Sequence, residues 1–208
     1  MPVASIKQIL PSDKALWQAV LTIYRAAFPD WEREPESTVT ERATAGRYAV
    51  YCATNEHAEL VGFYILDINL TPNYATFCFL AVAERYRGQG YGTKLCCDAI
   101  SRFHNEYKKT AWLLIEAEDR QALFYGKHGF KKIDIPYQIP MFDSLDVTPM
   151  HLMLISTSPN QTHIPGDCLM ELIQHIFITG YQLNANDARK QQQIALIPKQ
   201  AQLLSWPQ

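Results

Sequence analysis

A chain of 208 residues, 48% hydrophobic and 12% aromatic, suits one domain of ordinary size with something added, and it can build a real core. With 19% charged residues, a net charge of −2 and no basic stripe, it reads neither as a disordered polymer nor as a nucleic-acid binder. Its apolar runs are far shorter than the roughly 18 residues of a membrane span, and residues 1–10 lack the pattern of a signal peptide. Cys52, Cys78, Cys96, Cys97 and Cys168 form no Cys-x-x-Cys pair, so a reduced, cytoplasmic protein without a membrane partner is expected.

Val3–Ile9 alternates weakly and reads as a first strand. Ser12 or Asp13 is placed to cap a helix carrying Leu16, Ala19, Val20, Ile23 and Ala27, which Pro29 stops. A short helical stretch follows over 35–46, ended by Gly46. Arg47–Ala53 and Leu60–Ile68, joined by a polar turn, predict an antiparallel hairpin. Tyr74–Val82 is apolar at almost every position, as in a strand covered on both faces. Tyr91, Leu95, Ala99 and Phe103 then mark a long amphipathic helix, and Ala111–Ala117 a further apolar strand. Strand, turn, helix and strand make a βαβ unit with parallel strands.

Asp119 is placed to cap the next helix, which Gly129 ends. Phe130–Ile135 and Met150–Ile155 are candidate strands, with Pro136–Pro149 between them as a long, proline-stiffened loop. Ser156–Gly166 reads as a linker and Asp167–Gly180 as a capped helix bearing Leu169, Leu172, Ile173 and Ile176. The Gln-rich tail beyond it is weakly patterned.

The segment that carries chemistry is Arg87-Gly88-Gln89-Gly90-Tyr91-Gly92-Thr93, between a strand and a helix start. Backbone N–H groups there lack intrahelical partners, the helix dipole favours an anion, and glycines admit a phosphate close to the backbone. Arg87 adds a charged fork, so the turn reads as a pyrophosphate site. The alternative is a plain turn with convenient glycines. The spacing fits neither a P-loop nor a Rossmann turn.

These residues resemble the GNAT superfamily, whose pyrophosphate motif is Gln/Arg-x-x-Gly-x-Gly/Ala. Leu80-Ala81-Val82, ahead of the turn, is also similar to the family. So is Asp119–Phe130, which resembles the family helix that opens Asn-x-x-Ala and carries Phe-Tyr-x-x-x-Gly-Phe. Asp119 departs from the usual Asn. The resemblance covers residues 1–157 and leaves 158–208 as a C-terminal extension with one helix over 167–180.

It implies an α/β fold of the α+β type, with a mixed central sheet of about six to seven strands flanked by helices. Two parallel central strands would splay in a V. Pantetheine would bond main chain at Leu80, Ala81 and Val82, with one N–H serving the oxyanion, and Arg87, Gly88, Gln89, Gly90, Tyr91, Gly92 and Thr93 would hold the pyrophosphate. Acetyl-CoA is then the co-substrate, and Tyr125 the general acid that protonates the departing thiolate; a packed aromatic is the other reading of Tyr125.

For the base, Glu116 in its apolar strand must be paired or functional. Glu118, Glu32, Glu34 and a water chain are the alternatives. The histidines show no paired ligand spacing, so no metal is expected, and Cys96-Cys97 reads as helix packing. The expected activity is N-acetylation of a primary amine, preferably of a small molecule. Protein N-terminal or lysine acetylation, and a non-catalytic acyl-CoA-binding module, remain the alternatives. The C-terminal helix could complete the core, form a homodimer or narrow the pocket.

Overall fold

The computed structural model describes residues 5–206, whose chain divides into two units, residues 5–68 with 75–108 and residues 69–74 with 109–206. In the first, β1 (Ser5–Ile9), β2 (Tyr48–Thr54), β3 (Leu60–Asn69) and β4 (Tyr74–Val82) lie side by side in chain order. Val3 and Ala4, part of the expected first strand, lie outside the described residues. β1 and β2 are antiparallel, and so are β2 and β3, with Tyr51 opposite Tyr64.

The two-residue period of the strands sorts side chains to two faces. Tyr48, Val50, Cys52, Phe63 and Ile65 join Trp17, Val20, Leu21 and Tyr24 of α1 (Lys14–Ala27) and Val39 and Ala43 of α2 (Glu36–Thr44) in one core. Tyr51 and Tyr64 face the other way. Arg102 of α3 (Tyr91–Asn105) lies 4.2 Å over the Tyr51 ring, and the Tyr64 hydroxyl donates to Asp98 at 2.5 Å. α1 ends as Pro29 requires, because Phe28 before it is extended and continues no helix. Asp13 stands at the N-cap of α1 but its side chain makes no cap bond; it accepts instead from the Leu10 N–H at 3.4 Å.

In β4 the odd-numbered Phe77, Phe79 and Ala81 are buried, while Thr76, Cys78, Leu80 and Val82 are half-buried. One face of this strand is therefore less covered than its unbroken apolar sequence implies.

The second unit orders its strands as β5 (Trp112–Ala117), β9 (His151–Ser156), β6 (Lys131–Ile133), β11 (Gln200–Ser205) and β10 (His163–Pro165), each antiparallel to its neighbour. α4 (Asp119–Gly126) packs on β5 and β9. Three expectations are corrected here. The segment 136–149 is not a plain loop: β7 (Gln138–Pro140) and β8 (Val147–Pro149) form a hairpin, whose prolines stand at strand ends where a missing N–H is tolerated. The expected linker contains β10. The weakly patterned tail contains α6 (Ala188–Ala195) and β11, which pairs β6 on one side and β10 on the other.

The expected helix over 167–180 is α5 (Gly166–His175) followed by a π-turn over Ile176–Gly180. A Cβ on Gly166 would overlap the Pro198 carbonyl oxygen, so only glycine lets the chain before β11 pass there. No described helix is long and apolar enough to cross a membrane.

Candidate active site

The glycine turn lies wholly in the first unit. A 3-10 turn over Glu84–Tyr86 leads from β4 into residues 87–90, all exposed, and α3 begins at Tyr91. Gly90 is the N-cap of α3 with φ +81°, and Gly88 has φ +75°; both are left-handed positions that suit glycine. A Cβ on either would meet no protein atom within 4 Å, so the glycines answer to backbone conformation and leave the backbone open to an approaching group. No side chain caps α3 and no acidic residue stands in its first turn, so its opening N–H groups and dipole favour an anion.

Arg87 is exposed, and its Nε donates to the Val82 carbonyl at 3.3 Å, bending the side chain back along the end of β4. Gln89 donates to the Arg85 carbonyl at 3.2 Å and braces the turn. Tyr86 anchors it from below through a hydrogen bond from its hydroxyl to Glu59. Tyr91 is buried, and its hydroxyl has no hydrogen-bond partner among the described residues. Leu80, Ala81 and Val82 close β4 just before the turn, and the Ala81 carbonyl would lie 2.5 Å from a Cβ on Gly62, which fixes how near β3 passes. A phosphate-bearing ligand fits this turn by its chemistry, since it offers open backbone N–H groups, a guanidinium and no carboxylate in the helix's first turn.

Tyr125 and Glu116 lie in the second unit. Tyr125 sits near the end of α4 and is only 7% exposed, with its ring edge-on to Phe130 at 5.5 Å and to Phe124 at 5.1 Å. The next residue, Gly126, passes so close to the tail that a Cβ would overlap the Trp206 carbonyl oxygen. Asp119 is the first residue of α4, not its cap; Glu118 holds the N-cap position without a side-chain bond. The Asp119 carboxylate instead meets His151 Nε2 at 2.6 Å across β9.

Glu116 projects from β5 into an aromatic surround. Its Oε1 accepts from the Tyr137 hydroxyl and its Oε2 from the Tyr181 hydroxyl at 2.7 Å. Burial pushes the Glu116 carboxyl above the usual range, while the two phenol donors pull it back. Burial and the adjoining carboxylate likewise hold Tyr137 protonated well beyond an ordinary phenol. Tyr137 is followed across the ring cluster by Phe177 at 6.2 Å, Phe177 by Tyr181 at 5.8 Å, and Tyr181 by Phe142, stacked at 5.1 Å.

The sequence marks Glu116 but neither tyrosine. The signal available was that a glutamate in an apolar strand needs donors; which of the 11 tyrosines would supply them is not encoded locally.

The other carboxylates fall elsewhere. Glu34 is 4% exposed, ion-paired to Arg42 at 2.9 Å and hydrogen-bonded by Tyr48, an arrangement that holds α2 to β2. Glu118 is exposed and Glu32 half-buried. Cys96 is buried in α3 and Cys97 exposed. Among the described residues, no group of three or more His, Cys, Asp or Glu could hold a metal.

The strand order of the first unit and its open glycine turn at the start of α3 fit the class of acyltransferases that carry the acyl group on a nucleotide-bearing thiol. The family model of the acetyltransferase (GNAT) domain matches residues 15–154, and the chain belongs to that family. Solved structures share the fold. A GNAT-family protein from Bacteroides thetaiotaomicron is 19% identical, with 86% of this chain and 99% of that one covered and a TM-score of 0.68. Arabidopsis thaliana NAA60 in complex with acetyl-CoA is 15% identical over 74% of this chain and 98% of its own, with a TM-score of 0.58. The spermidine/spermine N-acetyltransferase SpeG from Vibrio cholerae is 14% identical over 74% and 92%, with a TM-score of 0.57. No curated protein matches the chain significantly.

Proposed function

We propose that the protein transfers an acetyl group from acetyl-CoA to a primary amine of a small molecule. The observation that carries this reading is the turn at the start of α3, where Gly88 and Gly90 are left-handed and open to approach beside Arg87. Residues 87–93 then hold the pyrophosphate and Leu80–Val82 the pantetheine amides. NAA60 with acetyl-CoA and SpeG, which acts on spermidine and spermine, support the co-substrate and the acceptor class. Residues 1–157 are taken as the acetyltransferase domain and 158–208 as its extension. Five free cysteines support a reducing compartment such as the cytoplasm.

In this mechanism the neutral amine attacks the thioester carbonyl. The C–N bond forms, the C–S bond breaks, Tyr125 gives its proton to the departing thiolate, and Glu116 takes the proton that nitrogen releases. One amide and one free thiol result, and water returns the proton from Glu116 to Tyr125. A carboxyl held above its usual range is better matched to taking a proton near neutrality than an ordinary one.

The test has two parts. Acetyl-CoA at 100 times its dissociation constant should stabilise the fold by about 2.7 kcal/mol, and NADH and ATP should do much less. Thiol release from acetyl-CoA with a panel of amines then separates an enzyme from a binding module. Equal stabilisation by all three nucleotides would reduce the turn to a generic anion site.

A further inference from the structure

Glu116 is a carboxylate set among aromatic rings. Among the described residues, no Lys, Arg or His stands within ion-pair distance of it, although such pairs are made by Glu34, Asp67, Asp98 and Asp187. Its two neutral phenol donors use one acceptor direction on each oxygen, and a carboxylate offers about four. One direction on each oxygen is left for a further donor. A carboxylate in low-dielectric surroundings without a counter-cation is costly unless it takes a proton or something supplies the positive charge.

The walls have matching chemistry. Tyr137, Phe177, Tyr181 and Phe142 follow one another as a chain of ring contacts that begins and continues at the two phenols on Glu116, and aromatic rings attract cations to their faces. Tyr137 and Phe177 close the base of the site, at 4% and 0% exposed, while Glu116, Phe142 and Tyr181 each keep part of their surface in solvent.

Half of this wall comes from outside the family-matched residues 15–154. The π-turn over Ile176–Gly180 widens the helix end, with the Tyr181 N–H bonded to the Ile176 carbonyl at 3.2 Å and the Leu183 N–H to Phe177 at 3.0 Å. That turn brings Phe177 and Tyr181 to the same side of the chain.

We infer that Glu116, Tyr137, Phe142, Phe177 and Tyr181 form a recognition site for a cationic ammonium head group, with the segment after α5 selecting it. For what then happens to the amine, this rests on the acetyltransferase reading; for binding, it does not. The acceptor class is an alkylamine, bound as its ammonium and attacking only after that ammonium has released one proton to solvent. An amine with a carboxylate beside the nitrogen is disfavoured, because that carboxylate would meet Glu116.

The experiment titrates the full chain with tetramethylammonium, n-butylammonium and the neutral isostere tert-butanol, followed by NMR shifts of the aromatic side chains. The two cations should bind at least about tenfold more tightly than the neutral isostere. Glu116→Gln should erase that preference, and Tyr181→Phe should weaken the cations several-fold. Equal binding of cation and isostere by the unaltered protein, no binding of either, or an unchanged preference in folded Glu116→Gln overturns the inference; the first two comparisons need no variant. Ammonium binding without thiol release from acetyl-CoA would sink the enzymatic reading and leave the recognition site standing. Thiol release with no cation preference would do the reverse.

Discussion

The backbone carbonyl of Trp206 occupies the space that a Cβ on Gly126 would need, so the tail and the end of α4 meet at a point where no side chain fits. Gly126→Ala forces backbone against backbone. Overpacking of this kind costs about 1–3 kcal/mol, and the melting temperature should fall by roughly 2–4 °C per kcal/mol. Differential scanning calorimetry checks this. A variant as stable as the unaltered protein would mean that the tail does not lie on Gly126 in solution.

At Gly90 the outcome should be the opposite, with binding lost and the fold kept. Gly90→Glu puts bulk and negative charge at the start of α3, where a new Cβ meets no protein atom within 4 Å. The left-handed backbone adds a cost of about 1–2 kcal/mol. Acetyl-CoA binding by calorimetry should disappear while circular dichroism is unchanged. Undiminished affinity would place the phosphates elsewhere.

Tyr125→Phe keeps the ring that packs on Phe124 and Phe130 and removes the hydroxyl. As the acid for the leaving thiolate, Tyr125 should be worth a factor on the order of 10² to 10⁴ in kcat, with cofactor affinity little changed. A purely packed tyrosine predicts about 1 kcal/mol of stability loss and near-normal turnover. Rapid-quench kinetics under conditions where chemistry limits the rate tells the two apart.

Glu116 gives a prediction in pH. Its carboxyl is raised by burial and must be ionised to accept a proton, so activity should be absent at low pH and rise through a pKa above the ordinary carboxylate value of about 4.3. The tyrosine hydroxyls favour the ionised form. Removing one, in Tyr137→Phe or Tyr181→Phe, should therefore move the acid limb of kcat/KM further upward, and Glu116→Gln should abolish the limb. A limb that stays fixed in both tyrosine variants would assign it to another group.

Much of the first unit was legible in the chain itself. Helical spacing marks α1 and α3 because each buries one face, a polar turn between apolar runs marks β2 and β3, which are buried on both faces, and the turn at Gly88–Gly90 announces its own backbone conformation. The second unit hides more. β6 falls inside Phe130–Ile135, which reads as a strand, but β10 is three residues, too short to show a period, and β11 is a strand because β6 and β10 flank it, not because Gln200–Ser205 is strongly apolar. Glu116 was visible as a glutamate out of place. Tyr137 and Tyr181, 21 and 65 residues away, were not, since only the folded chain brings them to it. Asp119 looked like a helix cap by residue type, but its carboxylate is drawn off by His151.

The late position of β11 in the chain has a consequence for how the protein is made. β6 is bounded by β9 on one side, and its other edge stays open until residues 200–205 arrive. An open strand edge invites pairing with a second molecule, and contacts of such long sequence separation form slowly. Two of the three residues of β6 are Lys131 and Lys132. Charges of one sign on an exposed edge repel a like edge, so two half-built sheets would meet lysine against lysine at β6. Once β11 is in place, Lys132 settles 4.7 Å over the Trp206 ring.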